Sequence, residues 1–239
     1  VLSVAQVIQK SSNVGASKIA LSMEPHYMWG MFNQLGFGTI THVGFPGEVS
    51  GRLRDYKTWR PIEQATMSYG NGISVTLIQL ARAYTVFAND GELKPVTLVK
   101  LKPKEMPVGQ QVFSAATARS VRSMLELVVL PGGTAPRAQI MGYRVAGKTG
   151  TAHKPGIGGY QDKYIASFVG MAPASNPRLI VAVMVDEPSA GKYYGGEVAA
   201  PAFSAVMGAT LRMMGIPQDA PNDNVIVPPA DMAEVKEAT

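Results

Sequence analysis

The strongest constraint in this 239-residue chain lies just after Lys148 and Thr149. There the sequence runs Gly-Thr-Ala-His-Lys-Pro-Gly-Ile-Gly-Gly, with four glycines and one proline. Glycine costs a helix about 1 kcal/mol per residue relative to alanine and proline about 3, so this stretch forbids a helix. Lys148 must therefore act from a strand or a loop. Around it, Tyr143–Ala146, Tyr164–Ala172 and Leu179–Val185 are short apolar runs bounded by Gly, Pro and Asn, and they read as strands. Asn176-Pro177-Arg178 links the last two tightly, which predicts an antiparallel hairpin.

The first half has a different rhythm. Residues 1–23 read as two helical pieces broken near Ser11-Ser12-Asn13, since Ser and Asn side chains compete for backbone bonds and favour corners. Residues 26–60, with five glycines between 36 and 51 and a tryptophan near each end, read as mixed and loop-rich. Residues 74–88 predict a helix with Leu77, Leu80, Ala81 and Tyr84 on one face, stopped by Asn89-Asp90-Gly91. Ser114 caps a further helix running to about Leu130, with Val121, Met124, Leu125 and Val128 inward. A last helix is expected to start near Pro201, bury Phe203, Val206, Met207, Thr210, Leu211 and Met214, and end at Gly215. Helices, then antiparallel strands, then a helix predict an α+β fold with helices covering a sheet.

Composition narrows the function. Hydrophobic residues make up 46% and charged residues 16%, enough apolar surface to exclude disorder for most of the chain. No apolar stretch reaches the roughly 20 residues a membrane span needs. The absence of cysteine removes disulfides, thiolate zinc sites and cysteine nucleophiles. His26, His42 and His153 show no metal-ligand spacing. The net charge is +5, but from Pro217 onward five acids face only Lys236, so the body carries +9. That basic body suits either an ordinary solvated surface or an acidic ligand. No Lys/Arg block interleaved with aromatics supports nucleic-acid binding. The expected organisation is one domain over 1–216 and a flexible acidic tail over 217–239.

Two motifs compete for Lys148. Gly142 to Thr149 spells the phosphate-loop pattern GxxxxGK[ST], and Leu179–Val185 followed by Asp186-Glu187 resembles the magnesium-binding strand of an ATPase. A phosphate loop needs its lysine at a helix N-terminus, where free N–H groups hold the phosphates, and no helix can follow here. The other reading takes Lys148-Thr149-Gly150-Thr151 as the strand-edge motif of serine acyl-transferases acting on D-alanyl peptides or β-lactams. Lysine supplies positive charge for a substrate carboxylate and tunes nearby proton transfers. Thr149 and Thr151 offer hydroxyl donors to that carboxylate, and Gly150 lets a substrate backbone approach the strand. Upstream, Ser11-Ser12-Asn13 supplies an S-x-N element in the order this class requires. Ser11 is placed to relay a proton to a leaving amine and Asn13 to hold a substrate amide; simple helix capping explains the same residues.

The resemblance to a known family rests on several segments in order. They are Lys10–Lys18, Gly44-Phe-Pro-Gly-Glu48, Trp59–Thr66, Gln79–Tyr84, Lys148-Thr-Gly-Thr-Ala152, and Asp186-Glu-Pro-Ser189 with Tyr193-Tyr-Gly-Gly196. From about Val4 to Pro217 the chain resembles class B penicillin-binding proteins, most of all the division-specific, penicillin-binding protein 3 type of Gram-negative bacteria. The resemblance implies a two-subdomain transpeptidase fold with an antiparallel sheet, a helical subdomain and a truncated N-terminal part. It implies a periplasmic D,D-transpeptidase, anchored in the inner membrane by a region upstream of this chain, that cross-links peptidoglycan stem peptides at the septum through an acyl-serine and is acylated by β-lactams. Its partners would be septal division proteins, including the division glycosyltransferase, and no cofactor is implied. Ser11, Asn13 and Lys148 take catalytic roles, Thr149 and Thr151 bind the carboxylate, and the Thr151 N–H forms half of an oxyanion hole. Tyr193 and Tyr194 resemble an aromatic wall beside the β-lactam side chain, or else are plain surface packing.

One element is missing. The family's nucleophile motif, S-x-x-K, should precede Ser11 by a few tens of residues. The only match by spelling is Ser189-Ala-Gly-Lys192, which comes in the wrong order and in a Pro/Gly-flanked loop, not at a helix start. The expectation is a chain without its nucleophile and inactive alone. A non-enzymatic scaffold of the same fold is the remaining alternative. Asn71 in Tyr69-Gly-Asn-Gly72 departs from the aromatic residue usual in this group.

Overall fold

A computed structural model describes residues 1–105, 107–156 and 159–227. In chain order the elements are α1 (Val4–Gln9), α2 (Asn13–Ala20), α3 (Pro25–Gln34), α4 (Pro61–Met67), α5 (Leu77–Ala88), β1 (Glu92–Leu93), β2 (Gln110–Gln111), α6 (Ala115–Glu126), β3 (Ala146–Gly156), β4 (Gly159–Ala172), β5 (Leu179–Asp186) and α7 (Gly195–Met213). The mixture of helices and antiparallel sheet is the predicted α+β class. The chain divides into two compact units, Val1–Ser12 with Arg119–Thr239, and Asn13–Ala118.

The first unit is a three-stranded antiparallel sheet, β3-β4-β5, packed against α7. Ala172 pairs with Leu179, so β4 and β5 form the predicted hairpin. The strand before Lys148 begins later than expected, at Ala146, because Tyr143 makes only a single bridge to Ile140. The stretch after Lys148 stays extended through Gly156. Phe168, Phe203, Met207 and Leu211 are fully buried in the core of this unit, where the Phe168 and Phe203 rings lie 4.7 Å apart.

Helix α7 differs from the expected helix in two ways. It starts at Gly195, six residues before Pro201, so that Pro201 sits inside it. Two glycines at a helix start are poor helix formers, but Gly196 lies against the Thr134 carbonyl so closely that a Cβ there would overlap it. Close approach, not propensity, decides that end. Phe203, Met207 and Leu211 face the core as predicted, whereas Val206 and Met214 are exposed. At the C-terminus Gly215 has φ +61° and the Ile216 N–H reaches the Leu211 carbonyl, the expected glycine stop.

Residues 217–227 also differ from expectation. Asp219 accepts from the backbone N–H groups of Arg144 (2.7 Å) and Ser175 (3.1 Å). Asn224 donates to the Ile140 and Tyr143 carbonyls and accepts from the Gly142 N–H. The side chain of Gln139 pairs with both backbone groups of Ile226. Asn and Asp here satisfy the backbone of segment 139–144 instead of water, and composition alone does not distinguish the two. The rest of the expected tail, 228–239, lies outside the described residues.

The second unit is mainly helical. A small cluster joins Ala20, Met28, Trp59 and Met67, with Trp29 and Phe32 against it. The face of α5 differs from the predicted one. Gln79, Ala83 and Val86 are buried, while Leu77 is exposed. Gln79 goes inside because its amide donates to the Thr39 (2.6 Å) and Ser50 (2.8 Å) carbonyls and accepts from the Thr76 N–H (2.7 Å). It thereby ties the glycine-rich stretch to the helix. Helix α3 falls in the stretch read as loop-rich; its Met28 is buried and its Trp29 and Phe32 are half-buried against the same cluster.

Candidate active site

Lys148 and Ser11 are 137 residues apart in sequence and in hydrogen-bond contact. Within the first unit, Lys148 Nζ donates to Ser11 Oγ at 2.7 Å, to the Thr149 carbonyl at 3.1 Å and to Thr149 Oγ1 at 3.2 Å. The local folding explains the meeting. α1 is a six-residue helix with a Ser3/Gln6 capping box, and its Ile8 packs on the core of this unit. The chain then turns sharply: Ser11 has φ +52°, and the Ser12 N–H bonds back to the Val7 carbonyl. A non-glycine residue in the left-handed region costs of order 1–3 kcal/mol, and such strain concentrates at functional corners. Asn13, two residues on, is the first residue of α2 and belongs to the second unit.

β3 is an edge strand of its sheet, so its Lys-Thr-Gly-Thr run has β4 on one side only. Thr149 is buried, and its hydroxyl lies 2.8 Å from that of buried Thr134. Thr151 Oγ1 accepts from the Gly195 N–H at 2.9 Å, at the start of α7. Gly150 is crowded from the sheet: a Cβ there would sit 2.6 Å from Ser167 Oγ. A side chain at position 150 would thus meet the neighbouring strand.

Tyr193 and Tyr194 do not stand alone. Tyr193 stacks on Tyr164 of β4 with centroids 4.0 Å apart and planes at 17°, and Tyr194 lies 4.5 Å from Tyr193. His153, the cross-strand partner of Tyr164, adds a ring at 4.3 Å. Sequence reading missed Tyr164 and weighed His153 only as a metal ligand. The signal was the strand alternation that pairs β3 with β4, which needs a register to be read.

The phosphate-loop reading fails on geometry. Lys148 lies within a strand and no helix follows it. The acids proposed for magnesium are already neutralised. Lys154 Nζ lies 2.9 Å from Asp186 and 2.7 Å from Glu187, and Lys163 lies 2.9 Å from the other Glu187 oxygen. The spelling match at Ser189–Lys192 is on the loop between β5 and α7, where Lys192 pairs with Glu197 at 3.3 Å.

The same ion pairs give a pH prediction. Hydrogen bonds from Lys154, then Lys163, hold the Glu187 carboxyl down at about 2, from an ordinary 4.5. A lowered carboxyl value stabilises the fold fully above 4.5 and loses that contribution as pH falls toward 2. The melting-temperature gap between wild type and Glu187→Gln should shrink over that interval. A gap constant from pH 5 to pH 2 would contradict the assignment.

A strand bearing Lys-Thr-Gly-Thr, with its lysine on the serine of a Ser-x-Asn corner, is the arrangement of the serine acyl-transferase class. The comparisons narrow this to a family. The profile described as "Penicillin binding protein transpeptidase domain" matches residues 1–208. The chain is 49% identical over 216 residues to a probable peptidoglycan D,D-transpeptidase PenA of Neisseria meningitidis, covering 90% of this chain and 37% of that protein. It is 47% identical over 221 residues to the peptidoglycan D,D-transpeptidase FtsI of Escherichia coli K12, covering 92% and 37%. The solved apo transpeptidase domain of Burkholderia pseudomallei penicillin-binding protein 3 superposes with a TM-score of 0.88 at 58% identity, over 92% of this chain and 67% of that one. This chain belongs to the penicillin-binding protein transpeptidase domain family. It spans little more than a third of the length of the curated relatives it matches.

Proposed function

We propose that this chain supplies the second and third catalytic elements of a peptidoglycan D,D-transpeptidase of septal cell-wall synthesis, acting in the periplasm of a Gram-negative bacterium. The observation that carries the reading is the 2.7 Å bond from Lys148 Nζ to Ser11 Oγ. An ammonium only donates, so it occupies a lone pair of Ser11 and leaves the serine proton for another acceptor. In the proposed reaction a serine outside these residues attacks the carbonyl of the D-Ala-D-Ala bond. The tetrahedral intermediate collapses, the C–N bond breaks, and Ser11 passes its proton to the departing D-alanine nitrogen while taking up the one released by the attacking hydroxyl. An amine of a second stem peptide then takes the acyl group, and the proton it loses passes to the oxygen of the released serine. Lys148 supports the relay by its charge, Asn13 holds the donor peptide's amide, and the Thr151 N–H contributes to the oxyanion hole. Thr149 and Thr151 bind the terminal carboxylate, with Gly150 between them. Tyr193 and Tyr194, backed by Tyr164, flank the ligand side chain.

A β-lactam would be attacked in place of the dipeptide and remain as a stable acyl-serine. The membrane anchor and the contacts with septal division proteins, including the division glycosyltransferase, belong in this reading to other parts of the protein. The test is labelling with a fluorescent penicillin. The full-length protein should form a covalent adduct. No adduct in a folded full-length protein would overturn the enzymatic reading in favour of a scaffold of the same fold.

A further inference from the structure

Resting on that reading, we infer that Thr134 is a positioning residue that sets the direction of the Thr149 hydroxyl toward the substrate carboxylate. A hydroxyl has one proton and two lone pairs. Lys148 Nζ, which can only donate, takes one lone pair of Thr149 Oγ1 at 3.2 Å. The bond to Thr134 Oγ1 at 2.8 Å can run either way. If Thr149 donates to Thr134, its proton points backward and nothing remains for a carboxylate. If Thr134 donates, both lone pairs of Thr149 are filled and its proton is free to point forward. An incoming anion can only accept, so it selects the second arrangement: Thr134 O–H to Thr149, Thr149 O–H to carboxylate. In such a chain each bond polarises the next.

The neighbouring threonine shows the same design with its direction already fixed. Thr151 Oγ1 accepts from the backbone N–H of Gly195 at 2.9 Å, which leaves its proton available on the other side. Thr134 plays for Thr149 the part that Gly195 plays for Thr151. Its placement is rigid. The Gly133 N–H bonds to the Leu130 carbonyl and the Ala135 N–H to the Val128 carbonyl, each at 2.9 Å. The Thr134 carbonyl lies against Gly196 at the start of α7. Thr134 is not on the Lys-Thr-Gly-Thr strand, and its hydroxyl is bonded to that of Thr149, so it acts through Thr149.

The experiment compares acylation of the full-length protein by benzylpenicillin and by its methyl ester, which lacks the anionic acceptor. Thr134→Val keeps the shape and removes the hydroxyl. It should lower the acid-to-ester rate ratio about tenfold, the scale of one buried hydrogen bond left unmade. Thr134→Ser should restore the ratio to within about twofold of wild type. If valine is not accommodated, Thr134→Ala makes the same comparison. An unchanged ratio in the hydroxyl-free variants overturns the inference, as does failure of serine to restore it, while the enzymatic reading stands. A wild type that neither compound acylates overturns that reading and this inference together.

Discussion

Lys148→Ala should slow acylation of the full-length protein by a β-lactam by about 10²–10⁴-fold, the range of a positioned acid–base group. The size of the effect follows from how much meets at one ammonium. Its nitrogen lies within 3.2 Å of Ser11 Oγ and of both oxygens of Thr149. Alanine removes the charge that orders the Ser11 relay and the donor that fills a lone pair of Thr149. Arginine keeps the charge but not the compact three-donor head, so Lys148→Arg should recover only part of the rate. The variants should melt within a few degrees of wild type, since Lys148 is only half-buried and its neighbours stay in the sheet. Rapid-mixing acylation kinetics with a chromogenic cephalosporin provide the check. A Lys148→Ala protein acylated at the wild-type rate would remove Lys148 from the chemistry.

Phe203→Ala should destabilise the protein by about 3–5 kcal/mol, measured by urea unfolding followed by circular dichroism. Phe203 is fully buried, tilted at 60° to Phe168, and packed where a Cβ on Gly170 would collide with it. It is the largest fully buried side chain that α7 contributes to this core. A typical domain has only about 5–15 kcal/mol in total, so the loss is a large share. The consequence reaches the site, because the start of α7 carries the Gly195 N–H bonded to Thr151. A loss below about 1 kcal/mol would mean that the sheet and α7 are held together elsewhere.

Much of the site was legible because its constraints are local. Four glycines and a proline after Lys148 excluded a helix there, and that separated a strand-edge lysine from a phosphate loop. Ser11-Ser12-Asn13 read as a corner, and it is one, with Ser11 in a left-handed conformation. The β4–β5 hairpin followed from Asn176-Pro177-Arg178. What escaped was non-local. Thr134 after a double glycine looks like a loop residue until its partner, 15 positions away, is placed beside it. Gly195-Gly196 reads as a turn until the Thr134 carbonyl explains why only glycine fits a helix start there. Gln79 looks solvated until three backbone groups claim its amide. Asp219 and Asn224 look like a loose acidic tail until they cap the segment before β3.

In the proposed reaction Ser11 and Lys148 serve a nucleophile that is not among these 239 residues. Fluorescent penicillin labelling followed by peptide mapping tests it directly, with the full-length protein and the isolated chain side by side. One acylated serine is expected in the full-length protein, in a Ser-x-x-Lys sequence outside these residues, and no adduct on the isolated chain. Acylation at Ser11, Ser189 or any other serine of this chain would contradict it.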